Sequence, residues 1–252
     1  MVGQMELLDC KSARVESATA WRALGGLQLV DRIFNHISVA YSDGPTRSID
    51  GFLTNSPLLL PSEATPSRMI AVGLGGFVHG DRSPNSDGLS LHLAIHCAVR
   101  SNYAAVHLHS PAISIFSATH LEMTPVTQTT MEFVGEVERI PYDGLLRDGS
   151  QCIGQTVDAL LNGRIAVLQN HGVVIGGRNV AEVVYLAYYF DEACRHIIEL
   201  SRLDPSSVTF PRSDAANNAK MRLVEDRRLA AQAFYAATCR TYGSVIGDRG
   251  ED

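Results

Sequence analysis

Apolar positions recur along the chain with two different periods, and the changes between them mark out its elements. Between residues 12 and 32, Val15, Ala18, Leu24, Leu27 and Leu29 follow roughly helical spacing, interrupted by the Gly25-Gly26 pair. The pattern then passes into the alternation of HISVAYSD, so the chain is expected to open helix then strand. GFLTNS and MIAVGL predict two more strands, separated by PLLLPSEATPS, in which Ser62 or Thr65 is placed to cap a short helical turn. GFVHGDRSPNSDG is rich in turn formers and reads as a loop. LSLHLAIHCAVRS predicts a buried helix, and AAVHLHS a short core strand that runs up to a Ser-Pro break. PAISIFSATH then predicts a helix, EFVGEVERIP an alternating strand and SQCIGQTVDALL an amphipathic helix. The run IAVLQNHGVVIGG predicts a buried strand pair turning at Asn170-His171-Gly172. Residues 179 to 202 carry the longest helical period, and a second helix over 214 to 242 follows the linker DPSSVTFPRSD.

Composition narrows the setting. With 252 residues and 45% hydrophobic content, one α/β domain over residues 1–252 is expected, with 203–252 as a linker and C-terminal helix. Only 19% of residues are charged and the net charge is -6, which leaves no electrostatic footprint for nucleic acid or an anionic membrane. No apolar run reaches membrane-spanning length. The first residues carry acidic groups where a secretory leader needs a basic end, so a cytoplasmic protein is expected. Cys10, Cys97, Cys152, Cys194 and Cys239 are odd in number and never in a CxxC pair. They predict reduced, mostly buried thiols and neither a disulfide framework nor a cysteine zinc site. GxSxG, a P-loop and a GxGxxG after a strand are absent.

The histidines carry the candidate chemistry. Side chains two apart on a strand project to one face, so His107 and His109 can reach the same ion. A third ligand must come from elsewhere in the fold, and His171 in its tight turn is the best candidate. Three neutral imidazoles suit zinc, iron, manganese, cobalt or nickel far better than magnesium or calcium. His92 and His96, four apart on one helix face, read as packed or solvated side chains.

In order, the chain reads FNHISVAYSD, GFLTNSPLLLPSEAT, NSDGLSLHLAIHCAVRSNYAAVHLHSP and LQNHGVVIGGRNVAEVVYLAYYFDEAC. It resembles, over residues 12 to 202, the class II aldolase/adducin family, in particular its adducin-like branch. The resemblance implies a three-layer α/β/α fold around a mostly antiparallel sheet and a homotetramer with a small-molecule substrate. It also implies one divalent transition metal per subunit, zinc or iron foremost, held by His107, His109 and His171. In enzymes of the family the metal polarises a carbonyl while a carbon-carbon bond breaks.

The chain departs from the aldolase pattern at three places. The acid/base glutamate aligns with Gly88, leaving Asp87 one residue away as the candidate catalytic carboxylate. The phosphate-cradling residues become Ser86-Asp87 and Asn55-Ser56-Pro57-Leu58, which points to a substrate without phosphate. The phenolic acid of some members falls near Gln128 and Thr129, where no tyrosine occurs. Asn35, His36, Asn55 and Gln128 are the expected pocket residues. The leading expectation is a lyase acting alpha to a carbonyl in a small hydroxy or oxo acid, by retro-aldol or decarboxylation. The alternatives are a mononuclear non-haem iron oxygenase acting on an aromatic or 2-oxo acid, and a non-catalytic adducin-like interaction module.

Overall fold

A computed structural model describes residues 7–30, 34–44, 48–80, 83–99, 103–142, 144, 146 and 149–243. The first helix, α1 (Cys10–Gly26), starts where the Asp9 carboxylate accepts the Ser12 N–H at 2.6 Å. It stops at the glycine pair rather than running on to residue 32, and residues 31 and 32 of the expected helix lie outside the described residues. Eight strands follow among the described residues: β1 (His36–Tyr41), β2 (Gly51–Thr54), β3 (Ile70–Gly73), β4 (Val78–His79), β5 (Ala104–Leu108), β6 (Val137–Ile140), β7 (Ile165–Leu168) and β8 (Gly172–Gly177). They form one sheet in the order β4-β3-β2-β1-β5-β8-β7-β6, antiparallel throughout except where β6 pairs with β7.

Strand alternation divides the sheet into two packed faces. Val106 and Leu108 of β5 join the larger core with α1, α3 (Pro111–Ser117), α4 (Gln128–Phe133), α6 (Val180–Leu200) and α7 (Ser213–Tyr242). Ala105 faces the other way, into a smaller core with α2 (Ser86–Ala98) and α5 (Gln151–Leu161). The result is the three-layer α/β/α architecture with a mostly antiparallel sheet. In the larger core, the Phe190 ring meets Phe116 and Phe133 edge-to-face at 6.1 and 5.4 Å, pairs worth about 0.5–1.5 kcal/mol each beyond their burial.

Several local expectations change. The loop read in GFVHGDRSPNSDG contains the short edge strand β4, and its end is already the first turn of α2. EFVGEVERIP is not one strand, because Glu132 and Phe133 complete α4, which Thr127 caps by accepting the Thr130 N–H. Ser62 lies inside a 3-10 turn, Pro61–Glu63, and Thr65 occupies the cap position of a second, Pro66–Arg68, without a side-chain cap bond. The apolar residues of AEVVYLAYYF, which are more hydrophobic than one exposed helix needs and could have buried against a neighbouring chain, pack within this one: α6 lies on α3, α4 and α7, and Phe234 lies against Tyr185, Tyr188 and Tyr189. Of the five cysteines, Cys152 and Cys194 are buried, Cys10 and Cys239 are partly exposed and Cys97 is exposed, so the thiols are not mostly buried. No helix among the described residues is long and apolar enough to cross a membrane.

Candidate metal centre

His107, in β5, pairs with His36 of β1 on one side and Val174 of β8 on the other. His109 lies just beyond the strand, before Ser110, which caps α3 and donates to the buried Asp191 of α6. His171 sits in the β7–β8 turn, where Asn170 adopts φ 59°, a left-handed conformation that asparagine tolerates. These separate segments converge. The His171 Nε2 lies 3.0 Å from the His107 Nε2 and 3.1 Å from the His109 Nε2. Among the described residues this is the one group of His, Cys, Asp or Glu side chains arranged to hold an ion, its donor atoms all within 4.8 Å of one another.

The backbone bearing the imidazoles is fastened from three directions. The Asn35 Oδ1 accepts the His109 N–H at 2.8 Å. Ser114 Oγ donates to the His109 carbonyl at 3.0 Å and lies 3.5 Å from that of His171. The Asn170 N–H donates to the Ser117 carbonyl at 3.1 Å, so α3 holds both histidine-bearing segments. His107 Nδ1 donates to the Val173 carbonyl at 3.0 Å, which fixes its tautomer and leaves Nε2 bare. Nitrogens about 3 Å apart can be bridged by one ion with bonds of about 2.0–2.1 Å, so the donor set fits a single transition metal.

Gly172 is required next to His171. A Cβ there would lie 2.4 Å from the Leu108 carbonyl oxygen and 2.8 Å from the His109 ring. Gly172→Ala should therefore push β8 off β5, costing about 1–3 kcal/mol in urea unfolding and weakening metal binding together.

Beside the three ligands runs a buried polar seam between α2 and the sheet. His36 Nδ1 lies 2.8 Å from His92 Nε2, and Ser38 Oγ lies 2.7 Å from both His92 Nδ1 and His96 Nε2. The His36 ring also lies against that of His107, with centroids 4.9 Å apart. Desolvation, followed by the neighbouring imidazoles His109 and His171, pushes the His36 pKa down to about 3. Burial likewise holds His92 and His107 well below the usual histidine range, so all three rings are neutral. The His36 ring fills the space that a side chain at position 88 would enter: a Cβ on Gly88 would stand 2.9 Å from its Nε2.

The other expected site residues divide. Asn35 and Asn55 are buried and brace the start of β1, Asn55 accepting the Ile37 N–H at 3.0 Å and donating to the Asn35 carbonyl at 3.1 Å. Asp87 is partly exposed in the first turn of α2, where the Asn85 side chain accepts its N–H and that of Gly88. Gln128 is exposed at the start of α4, a helix packed on α6 and α7, and no hydrogen bond or ring contact among the described residues joins it to the imidazoles. Tyr142 was not foreseen. Its ring centroid lies 4.1 Å from that of His171, so a phenol does flank the centre, from the segment after β6.

The description Class II Aldolase and Adducin N-terminal domain belongs to the family that matches residues 15–198. Alpha-adducin of Rattus norvegicus is 30% identical over 196 residues, which are 75% of this chain and 25% of the adducin. The chain thus spans about a quarter of the length of such adducin relatives. A putative aldolase class 2 protein of Caulobacter vibrioides is 29% identical over 185 residues, 72% of this chain and 70% of that protein. Among solved structures, an aldolase II superfamily protein from Pseudomonas syringae superimposes with a TM-score of 0.80 at 26% identity, covering 92% of each chain.

Proposed function

Because the chain belongs to the class II aldolase and adducin family, we propose that it is a metal-dependent lyase breaking a carbon-carbon bond alpha to a carbonyl, by retro-aldol or decarboxylation. The substrate is a small hydroxy or oxo acid without phosphate. The observation that carries this reading is the convergence of the His107, His109 and His171 Nε2 atoms. When bound there, a divalent ion polarises a carbonyl and stabilises the charge that builds on its oxygen. Zinc or iron suits the three imidazoles best, and manganese, cobalt or nickel also fit.

Neutral ligands leave the ion its full positive charge toward an anionic substrate. Asn35 keeps His109 in place by accepting its N–H, and the Ser114 hydroxyl and the Ser117 carbonyl fasten the two histidine-bearing segments. Asp87 is the residue proposed to move protons, from the turn that packs on His36. Its carboxylate also opposes a phosphate on that side, since two like charges at contact distance repel by about 4 kcal/mol at an effective dielectric near 20. Asn55 supports Asn35, while His36 and Gln128 complete the proposed pocket. The same reading takes the protein to be a cytoplasmic homotetramer.

The ligand group contains no carboxylate, which also favours a second reading as a ferrous-iron oxygenase. Elemental analysis of protein purified without chelator, with aerobic and anaerobic screens on 2-oxo and hydroxy acids, decides among the readings. One transition metal per chain and turnover without oxygen are expected. Oxygen uptake that depends on ferrous iron would replace the lyase by the oxygenase. An absence of metal and turnover would leave an adducin-like interaction module.

A further inference from the structure

The three ligand-bearing positions are not held in the same way. His107 lies inside the sheet ladder, between His36 of β1 and Val174 of β8. His109 and His171 lie beyond strand ends, so contacts outside the ladder must hold them. Two of those contacts come from α3: Ser114 Oγ donates to the His109 carbonyl, and the Ser117 carbonyl accepts the Asn170 N–H. Whatever fixes α3 therefore fixes two of the three imidazoles at once.

The start of α3 is tied to one buried carboxylate. Ser110, the residue after His109, has a single hydroxyl proton and gives it to Asp191 Oδ1 of α6. Its oxygen is left to cap α3 by accepting the Ile113 N–H at 3.4 Å. The other Asp191 oxygen, Oδ2, accepts Arg195 Nη2 at 2.8 Å, from an exposed guanidinium one turn along α6. Apolar packing already joins the two helices, since Phe190, next to Asp191, meets Phe116 of α3 edge-to-face. A buried carboxylate is a costly addition to that contact, whereas its directional bond fixes an orientation that apolar packing leaves free.

We propose that Asp191 is a positioning residue of the metal centre: through Ser110 it sets the start of α3, and α3 holds His109 and His171 at the spacing that one ion requires. This rests on the reading of the three-imidazole group as a metal centre. Without the carboxylate the Ser110 hydroxyl is free to turn, and α3 no longer has one seat. The two tethered imidazoles then lose their alignment with His107, which the ladder keeps in place.

Zinc affinity by chelator competition and the visible absorption of the cobalt-loaded chain test the idea. Asp191→Ala should weaken zinc binding about 10–100-fold, the range for outer partners of a metal ligand, and shift the cobalt bands. Ser110→Ala should do the same, and the double variant should be no weaker than either single one, because both remove one contact. Asp191→Asn keeps an oxygen for Ser110 and should restore most of the affinity. Tyr185→Phe removes another buried hydroxyl bond of α6, to Glu132 at 3.0 Å, and should leave affinity and bands unchanged. Wild-type affinity and bands in folded Asp191→Ala or Ser110→Ala overturn the inference. So do an equal loss in Tyr185→Phe, additive losses in the double variant, or no rescue by Asp191→Asn. Failure of both alanine variants to fold overturns it as well, since the contact then serves the fold as a whole. Zinc binding by the wild type with no change in the variants removes this inference alone, whereas failure of the wild type to bind zinc removes the metal reading too.

Discussion

Alanine in place of His171 is expected to abolish stoichiometric metal binding while leaving the fold close to intact. The side chain is partly exposed in a turn, and its Nε2 is the atom that meets both other ligand nitrogens. Losing an outer partner of a metal ligand typically weakens binding about 10–100-fold, and removing one of three direct ligands should exceed that. Chelator-competition titration with zinc measures it. A ligand present at 100 times its Kd stabilises the folded state by about 2.7 kcal/mol, so the wild type should gain that on zinc addition and His171→Ala should gain nothing. His107→Ala should remove the metal equally but also damage the metal-free fold, because the ring is buried and its loss strands the Val173 carbonyl, at about 1–3 kcal/mol. Asn35→Ala, which removes only the acceptor for the His109 N–H, should fall in the outer-partner range. Wild-type zinc affinity in His171→Ala would show that the three imidazoles do not share an ion.

The same three residues show what a sequence reveals and what it hides. His107 was legible because strand alternation is a local rule, although His109 stands one residue past the strand's end, and the β7–β8 turn was legible because Asn170 and Gly172 mark it within a few residues. Both C-terminal helices were legible for the same reason: many periods of apolar spacing, and for α6 an Asn179 cap that accepts the Glu182 N–H. The seam was not. His36 and His92 are 56 positions apart, and neither is marked by its neighbours as a partner of the other. Tyr142 reaches His171 from the far side of α3 and α4 in sequence, where a local search beside Gln128 had no reason to look. β4 and α4 escaped because two and six residues are too few for a period to declare itself. The covering of the α6 apolar face by Phe234 is likewise a tertiary fact: excess hydrophobicity predicts burial but not by what.

The metal-free protein is expected to lose stability steeply as pH falls below about 6.5, the unfolded value for histidine. In the folded chain His36 titrates at about 3 and His92 well below its ordinary value, chiefly because burial disfavours the charged ring. Between the unfolded and folded values, the unfolded chain binds protons that the fold refuses, so stability rises with pH across that interval. The contribution is complete above about pH 6.5 and is lost as pH falls, for His36 until about pH 3. Each such group gives a slope of up to about 1.4 kcal/mol per pH unit, so these two approach 3. His107, lowered for the same first reason, adds a third when no metal holds it. Urea unfolding at pH 7.5, 6.0 and 5.0 should return that slope, and His92→Gln should reduce it by about one proton. A flat profile from pH 7 to 5 would mean that the buried rings accept protons in the folded state, and with them the neutral seam would go. Zinc should raise stability most at neutral pH and progressively less below it, because the ligand nitrogens must be unprotonated to bind.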